Sequence, residues 1–183
     1  MVYQMEGHTY AEVHHQTGKK RKMVMGLQIR AAQPGDEGTI LRFIRDLAEY
    51  ERLLGAVVAT EASIAAELFG TNPRVFCDIA EYDGEPAGFA LWFTNFSTFL
   101  SKRGLYLEDL FVRPEFRGKG IGKALLAHLA KRAVALGCGR LEWSVLDWNE
   151  PSIAFYKSLG AVPMADWTTF RLTGDSLERL AAT

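Results

Sequence analysis

The run Arg117-Gly118-Lys119-Gly120-Ile121-Gly122 sets three glycines at alternate positions in a locally basic stretch, with Arg113 before it and Lys123 after it. Glycine lets the backbone approach a bulky anion closely. Where a helix starts beside such a loop, its first N–H groups lack intrahelical partners and its dipole favours negative charge. A pyrophosphate satisfies all three conditions. Two other phosphate motifs are excluded: the spacing is not G-x-G-x-x-G, and Ala124 stands where a Walker loop needs Ser or Thr after Gly122-Lys123. A tight strand-to-helix turn would use the same glycines, so the loop alone leaves both readings open.

Two acids, Glu108 and Asp109, precede the loop, and Tyr156 follows it. A carboxylate attracts a cation and can accept its proton, and a phenol can return one. Neighbours in a regular strand point to opposite faces, so Glu108 and Asp109 reach one site only if their strand is irregular. Tyr156, beside Ile153 and Phe155, equally suits a core tyrosine with its hydroxyl satisfied.

These residues need elements to position them. Leu27 to Ala31 reads as a first strand, and Pro34-Gly35-Asp36 supplies turn and cap chemistry before a helix carrying Ile40, Leu41, Ile44, Leu47 and Ala48 on one face and ending near Glu51. A second helix runs from Thr60 as N-cap to Leu68. Val75 to Tyr82 and Pro86 to Phe93 flank Asp83-Gly84-Glu85, a hairpin signal. Leu105 to Val112 is a strand closed by Pro114; the glycine loop follows, then a long amphipathic helix with Leu125, Leu126, Leu129 and Val134 that stops at Gly137. Arg140 to Val145 is a strand, Pro151 to Leu159 a helix ended by Gly160, and a strand pair around Val162 and Phe170 is expected to finish the sheet. The order predicts an α/β (α+β) fold: a mixed sheet flanked by helices, with a βαβ unit from Leu105 to Val145.

At 183 residues, 48% hydrophobic and 23% charged, the chain is long enough for one domain, expected over residues 27–183. A formal net charge of -1 gives no broad electrostatic reason to bind nucleic acid or an anionic membrane. Cys77 and Cys138 form no CxxC pair, no metal-ligand spacing is present, and small buried thiols are expected. Residues 1–26, with His8, His14, His15 and the basic run Lys19 to Lys22, lack the apolar stretch of a signal peptide. They read as a flexible leader or a cloning remnant. No apolar run suits a membrane helix, and a cytoplasmic enzyme is the expectation.

Taken together, R-x-x-G-x-G at Arg117 to Gly122, Leu105-Tyr106-Leu107-Glu108-Asp109-Leu110-Phe111-Val112 before it, and Trp148-Asn149-Glu150-Pro151-Ser152 with Phe155-Tyr156 after it resemble the GNAT N-acetyltransferases. The match is to the diamine acetyltransferase branch, which includes spermidine/spermine and thialysine acetyltransferases, and it spans Gln28 to Ala181. The resemblance implies acetyl-CoA as co-substrate, held at its pyrophosphate by Arg117, Gly118, Lys119, Gly120, Ile121, Gly122 and Lys123. It implies that the strand end at Leu110, Phe111 and Val112 pairs with the pantetheine arm, and that Asn149 and Ser152 assist. Glu108 resembles the family's proposed general base and Tyr156 its proposed general acid. Tyr50, Glu51, Glu108, Asp109 and Trp148 fall on the substrate side, no metal is involved, and a homodimer is expected.

That chemistry fits the residues. An alkylamine has a pKa near lysine's, about 10.4, and must lose a proton before it can attack a thioester. Neither cysteine sits beside a base, so direct transfer in a ternary complex is expected rather than an acyl-enzyme. Asn95 to Gly104 carries no carboxylate but does carry Lys102 and Arg103, and it looks more like the thialysine-type members. Thialysine, lysine or ornithine-like amines therefore rank ahead of short polyamines. The alternatives are a protein or peptide N-acetyltransferase and a non-catalytic acyl-CoA-binding module.

Overall fold

The computed structural model describes the backbone of residues 3–5, 8–11 and 23–25, and residues 26–183 in full. Most of the expected 1–26 leader, including the basic run Lys19 to Lys22, lies outside the described residues. Three short strands, β1 (Tyr3–Met5), β2 (His8–Ala11) and β3 (Met23–Met25), pair in an antiparallel sheet of their own. The chain groups into two compact units, Met1–Ser144 and Val145–Thr183.

The first unit is built on a five-stranded sheet in the order β4 (Leu27–Ala31), β5 (Val75–Tyr82), β6 (Glu85–Ser97), β7 (Lys102–Val112), β8 (Leu141–Trp143). The first three pairings are antiparallel and β7 with β8 is parallel, as the hairpin signal and the βαβ order predict. Asp83 and Gly84 both take positive φ (53° and 83°), the backbone that a two-residue hairpin turn matching strand twist requires.

Side chains alternate across this sheet. Cys77 and Ile79 of β5 join Phe89 and Phe111 in a core closed by α1 (Glu37–Tyr50) and α2 (Glu61–Phe69) through Ile40, Leu41, Phe43, Ile64 and Leu68. Phe43 stacks on Phe89 with centroids 5.4 Å apart. Each such side chain contributes about 1.5–3 kcal/mol by leaving water. Thr60 caps α2 as expected, exchanging hydrogen bonds with Ser63.

Asp78, between Cys77 and Ile79, points to the other face, which α3 (Ile121–Ala135) covers with Ile121, Leu125, Leu126 and Leu129. The carboxylate is buried but satisfied. It accepts from Trp92 Nε1 at 2.8 Å and Arg132 Nη2 at 3.0 Å, with His128 Nε2 at 3.3 Å, so α3 is tied to the middle of the sheet by charge-assisted bonds as well as by leucines. No described helix is long and apolar enough to cross a membrane.

The second unit contains α4 (Glu150–Ser158) and α5 (Gly174–Ala181). The expected strand pair around Val162 and Phe170 is not formed. Trp167 N–H closes one turn on Met164 O at 3.3 Å, but residues 162–173 pair with nothing as strands. Pro163 has no N–H to give a ladder. The ordered sheet therefore ends at β8.

Gly88 packs closely against β7: an added methyl would stand 2.5 Å from Phe111 O and 3.2 Å from Val112 Cα, both backbone atoms. Gly88→Ala is expected to lower the unfolding free energy by about 2–3 kcal/mol, measured as a shift of the urea midpoint without a change in slope.

Candidate active site

One irregularity organises the site. Leu91 pairs with Asp109 but Trp92 pairs with Leu107, so Glu108 is an extra residue in β7, a β-bulge. Leu107, opposite Trp92, points to the α3 face. Phe111 belongs to the α1 and α2 core, and Asp109, two residues before it, shares that face. Glu108 is the unpaired residue between Leu107 and Asp109, and its charge acts on the Asp109 carboxyl. Glu108 is exposed and Asp109 half-buried.

The bulge also exchanges which edge of β7 each residue serves. Leu105 N–H donates to Arg140 O (3.0 Å), so before the bulge odd-numbered residues face β8. Arg113 N–H donates to Ala87 O (2.9 Å), so after it Asp109 and Phe111 face β6 while Leu110 and Val112 turn their backbone groups away. β8 pairs only with Leu105, Tyr106 and Leu107. The edge of Leu110 and Val112 therefore has no strand beside it among the described residues. Of the strand end expected to meet a ligand, Phe111 has its ring in the core and its backbone on the β6 side, while Leu110 and Val112 turn theirs to the open edge.

The glycine loop stands where the sequence places it. A 3-10 turn, Pro114–Phe116, leads into Arg117, and Gly118 and Gly120 both take φ of +77°. Gly120 is the N-cap of α3, and neither glycine has an atom within 4 Å of where a Cβ would be. The result is an open cradle of backbone under a helix N-terminus. Ile121 is buried, so only its N–H can serve; Gly122 is half-buried and Lys123 exposed.

Aromatic rings hold the loop's cations. Arg117 donates through Nε to Val112 O (3.0 Å) and lies over the rings of Tyr50 (5.2 Å) and Phe111 (5.7 Å). Lys119 Nζ lies 4.4 Å from the Tyr82 ring centre and 5.1 Å from that of Phe116. Tyr82 and Phe116 were not foreseen; an aromatic at a strand end and another in a turn carry no sequence signal of their own. Arg113 pairs with Glu115.

Tyr50 and Glu51 end α1 beside this group. Burial raises the Glu51 carboxyl above its ordinary range. Asp109 is pushed up to about 6, first by burial and then by the charges of Glu108 and Glu51. Three carboxylates, two of them partly desolvated, therefore interact at the bulge, a setting that favours a bound cation.

The remaining expected residues belong to the second unit. Asn149 is buried and caps α4, its Oδ1 accepting from Ser152 N–H at 3.3 Å. Trp148 is exposed, and Tyr156 is half-buried with its ring tilted against Phe155 at 5.4 Å.

The family model described as Acetyltransferase (GNAT) family matches residues 41–161. A thialysine N-epsilon-acetyltransferase of Sus scrofa is 41% identical over 164 residues, 84% of this chain and 96% of that protein. An L-ornithine N5-acetyltransferase of Arabidopsis thaliana is 36% identical, over 84% of this chain and 87% of its own length. Among solved structures, an integron cassette protein from the V. cholerae mobile metagenome is 29% identical, with a TM-score of 0.73 over 87% of this chain and 99% of that one.

An acid whose folded pKa is raised adds stability at low pH that is lost as the pH rises through the folded value. Asp109→Asn is therefore expected to stabilise the chain by about 2 kcal/mol above pH 7, with the gain vanishing near pH 4. Urea unfolding of both proteins at the two pH values checks it.

Proposed function

The chain belongs to the GNAT acetyltransferase family, and from that premise we propose that it carries the acetyl group of acetyl-CoA to the primary amine of a small cationic acceptor. Amino acids with a terminal amine, of the thialysine, lysine or ornithine kind, rank ahead of short polyamines. The observation that carries this reading is the bulge of β7, at which the charges of Glu108, Asp109 and Glu51 come close enough to act on one another. An alkylammonium finds there the opposite charge it needs and a group able to take its proton.

The residues of the loop fit a pyrophosphate. Open glycines at +77° give the backbone room, the first amides of α3 have no carbonyl of their own, and Arg117 and Lys119 supply charge. In this reading Arg117 to Lys123 bind the pyrophosphate, with Ile121 contributing its N–H. Leu110, and the N–H of Val112 whose carbonyl already accepts from Arg117, offer backbone groups on the edge of β7 to an extended arm. When bound, the co-substrate supplies an acetyl thioester. A backbone N–H at that edge, released from the ladder by the bulge, is suited to stabilise an oxyanion. Tyr156 is assigned the return of a proton to the leaving sulfur, and Asn149 and Ser152 set the start of its helix. The names of the thialysine and ornithine relatives support the order of acceptors. A homodimer completes the reading, and light scattering at micromolar concentration is expected to give twice the mass of one chain.

The test is CoA release with acetyl-CoA and a panel of thialysine, lysine, ornithine, putrescine, spermidine and a lysine-containing peptide. Turnover is expected with the amino-acid amines first. Tyr156→Phe is expected to lower kcat about 10–100-fold while leaving the amine KM within a few-fold. Silence across the panel, with acetyl-CoA still bound, would overturn the reading.

A further inference from the structure

Away from the bulge, the sheet face opposite α3 carries a polar group of its own. On β6, Leu91, Phe93 and Asn95 alternate to that face, Leu91 packing on the α1 and α2 core. Their partners on β7 are Asp109, Tyr106 and Gly104. Phe93 and Tyr106 hold their ring centroids 5.2 Å apart, and Glu142 of β8 pairs with Tyr106. Gly104 leaves a gap in this row that two neighbouring side chains occupy: a methyl added there would overlap Asn95 Oδ1 and stand 3.1 Å from Arg140 Cγ. The Glu142 carboxylate joins both neighbours, its Oε2 lying 2.7 Å from Arg140 Nε and accepting from Asn95 Nδ2 at 3.2 Å. The Arg140 and Glu142 side chains are 36% and 32% exposed, so this ion pair is held in place yet open to solvent.

We propose that the Arg140–Glu142 pair receives the α-carboxylate and α-ammonium of an amino-acid acceptor, and that it is what selects such acceptors over diamines. This rests on the acetyl-transfer reading above and deepens it. A zwitterion meets an ion pair charge for charge, carboxylate on guanidinium and ammonium on carboxylate, and the planar fork of arginine suits a carboxylate. A diamine brings Arg140 only a like charge. The spacing fits as well. Residues of one face lie two apart along a strand, about 7 Å, close to the reach of an extended lysine or ornithine side chain. The Tyr106 and Glu142 pair is the next step along this face from Asp109, and Arg140, two residues before Glu142, is one step further. A terminal amine at the bulge carboxylates therefore leaves the α-carbon level with Glu142 and its carboxylate toward Arg140.

The cations of the neighbouring hairpin are placed less well for this. Arg103 pairs with Phe96 and so belongs to the other face, and Lys102 pairs with Ser97, a further step from the bulge. Asn95 acts as a positioning residue. Its amide donates to Glu142, while its Oδ1 is buried and accepts from no described residue, which adds a negative end to the side of the pair that would meet an ammonium.

The experiment measures kcat and KM for ornithine, for putrescine, which lacks the carboxylate, and for δ-aminovalerate, which lacks the α-amine, in wild type, Arg140→Gln, Glu142→Gln and Gly104→Ala. Wild type is expected to prefer ornithine to both analogues. Arg140→Gln is expected to raise the ornithine KM about 10–100-fold with kcat within a few-fold, and to reduce the preference for ornithine over putrescine by the same factor. Glu142→Gln is expected to reduce the preference for ornithine over δ-aminovalerate instead. Gly104→Ala, whose methyl displaces Asn95 and the Arg140 stem, should weaken both preferences. A wild type that uses putrescine as well as ornithine, or an Arg140→Gln whose loss falls on kcat or equally on both amines, overturns this inference and leaves acetyl transfer standing. A wild type inert toward every amine overturns the reading it rests on as well.

Discussion

The single extra residue in β7 governs more of this molecule than any other contact. Without Glu108 out of register, Leu107 and Asp109 would share the α3 face, and the carboxylate would compete with Trp92 and the leucines of α3 for a buried place. With it, the acid moves to the opposite face, Phe111 enters the core beside Phe43, and the outward backbone groups pass from odd to even residues just where β8 stops pairing. An insertion in one strand therefore sets core packing, a free strand edge and the meeting of charges together. Bulges do this because they break the strict two-residue alternation of a sheet at low cost.

The loop depends on a different support. α3 must present its N-terminus steadily, and its sheet-facing side is held by two unlike means: leucines that exclude water, and the buried carboxylate of Asp78 shared by Trp92, Arg132 and His128. A buried acid is tolerated only when its lone pairs are taken, and here both oxygens are engaged. The helix is thereby fixed against sliding along an apolar surface, which leucines alone resist weakly.

Much of this was legible in the residues. Periodicity gave α1 and the hairpin gave β5 and β6; the strand, glycine loop and helix order gave the βαβ unit and the location of the anion cradle. For Glu108 and Asp109 the residues set only a condition, that both could reach one site if their strand were irregular; the irregularity itself and the residue that stands out appear only in the register. The region after Gly160 was misjudged because Val162, Met164 and Phe170 read as strand by type, whereas strand formation needs a partner that local pattern cannot supply. Which residues of the strand end turn their backbone to the open edge was not legible either, because only register shows that Phe111 faces β6. The rings under Lys119 come from β5 and a turn far apart in sequence, so nothing local pointed to them.

Arg117 has given up most of its freedom before any partner arrives. A surface arginine ordinarily carries rotamer entropy of about 2 kcal/mol, which an anion must overcome to order it. Stacked on Tyr50 and Phe111 and tethered to Val112 O, this side chain has lost that freedom during folding. Affinity there is preorganised rather than induced, and it should show as slow release more than as fast capture. The same stack joins the loop to the last residue of α1, next to Glu51, so one aromatic ring links the loop's guanidinium to the neighbourhood of a negative side chain.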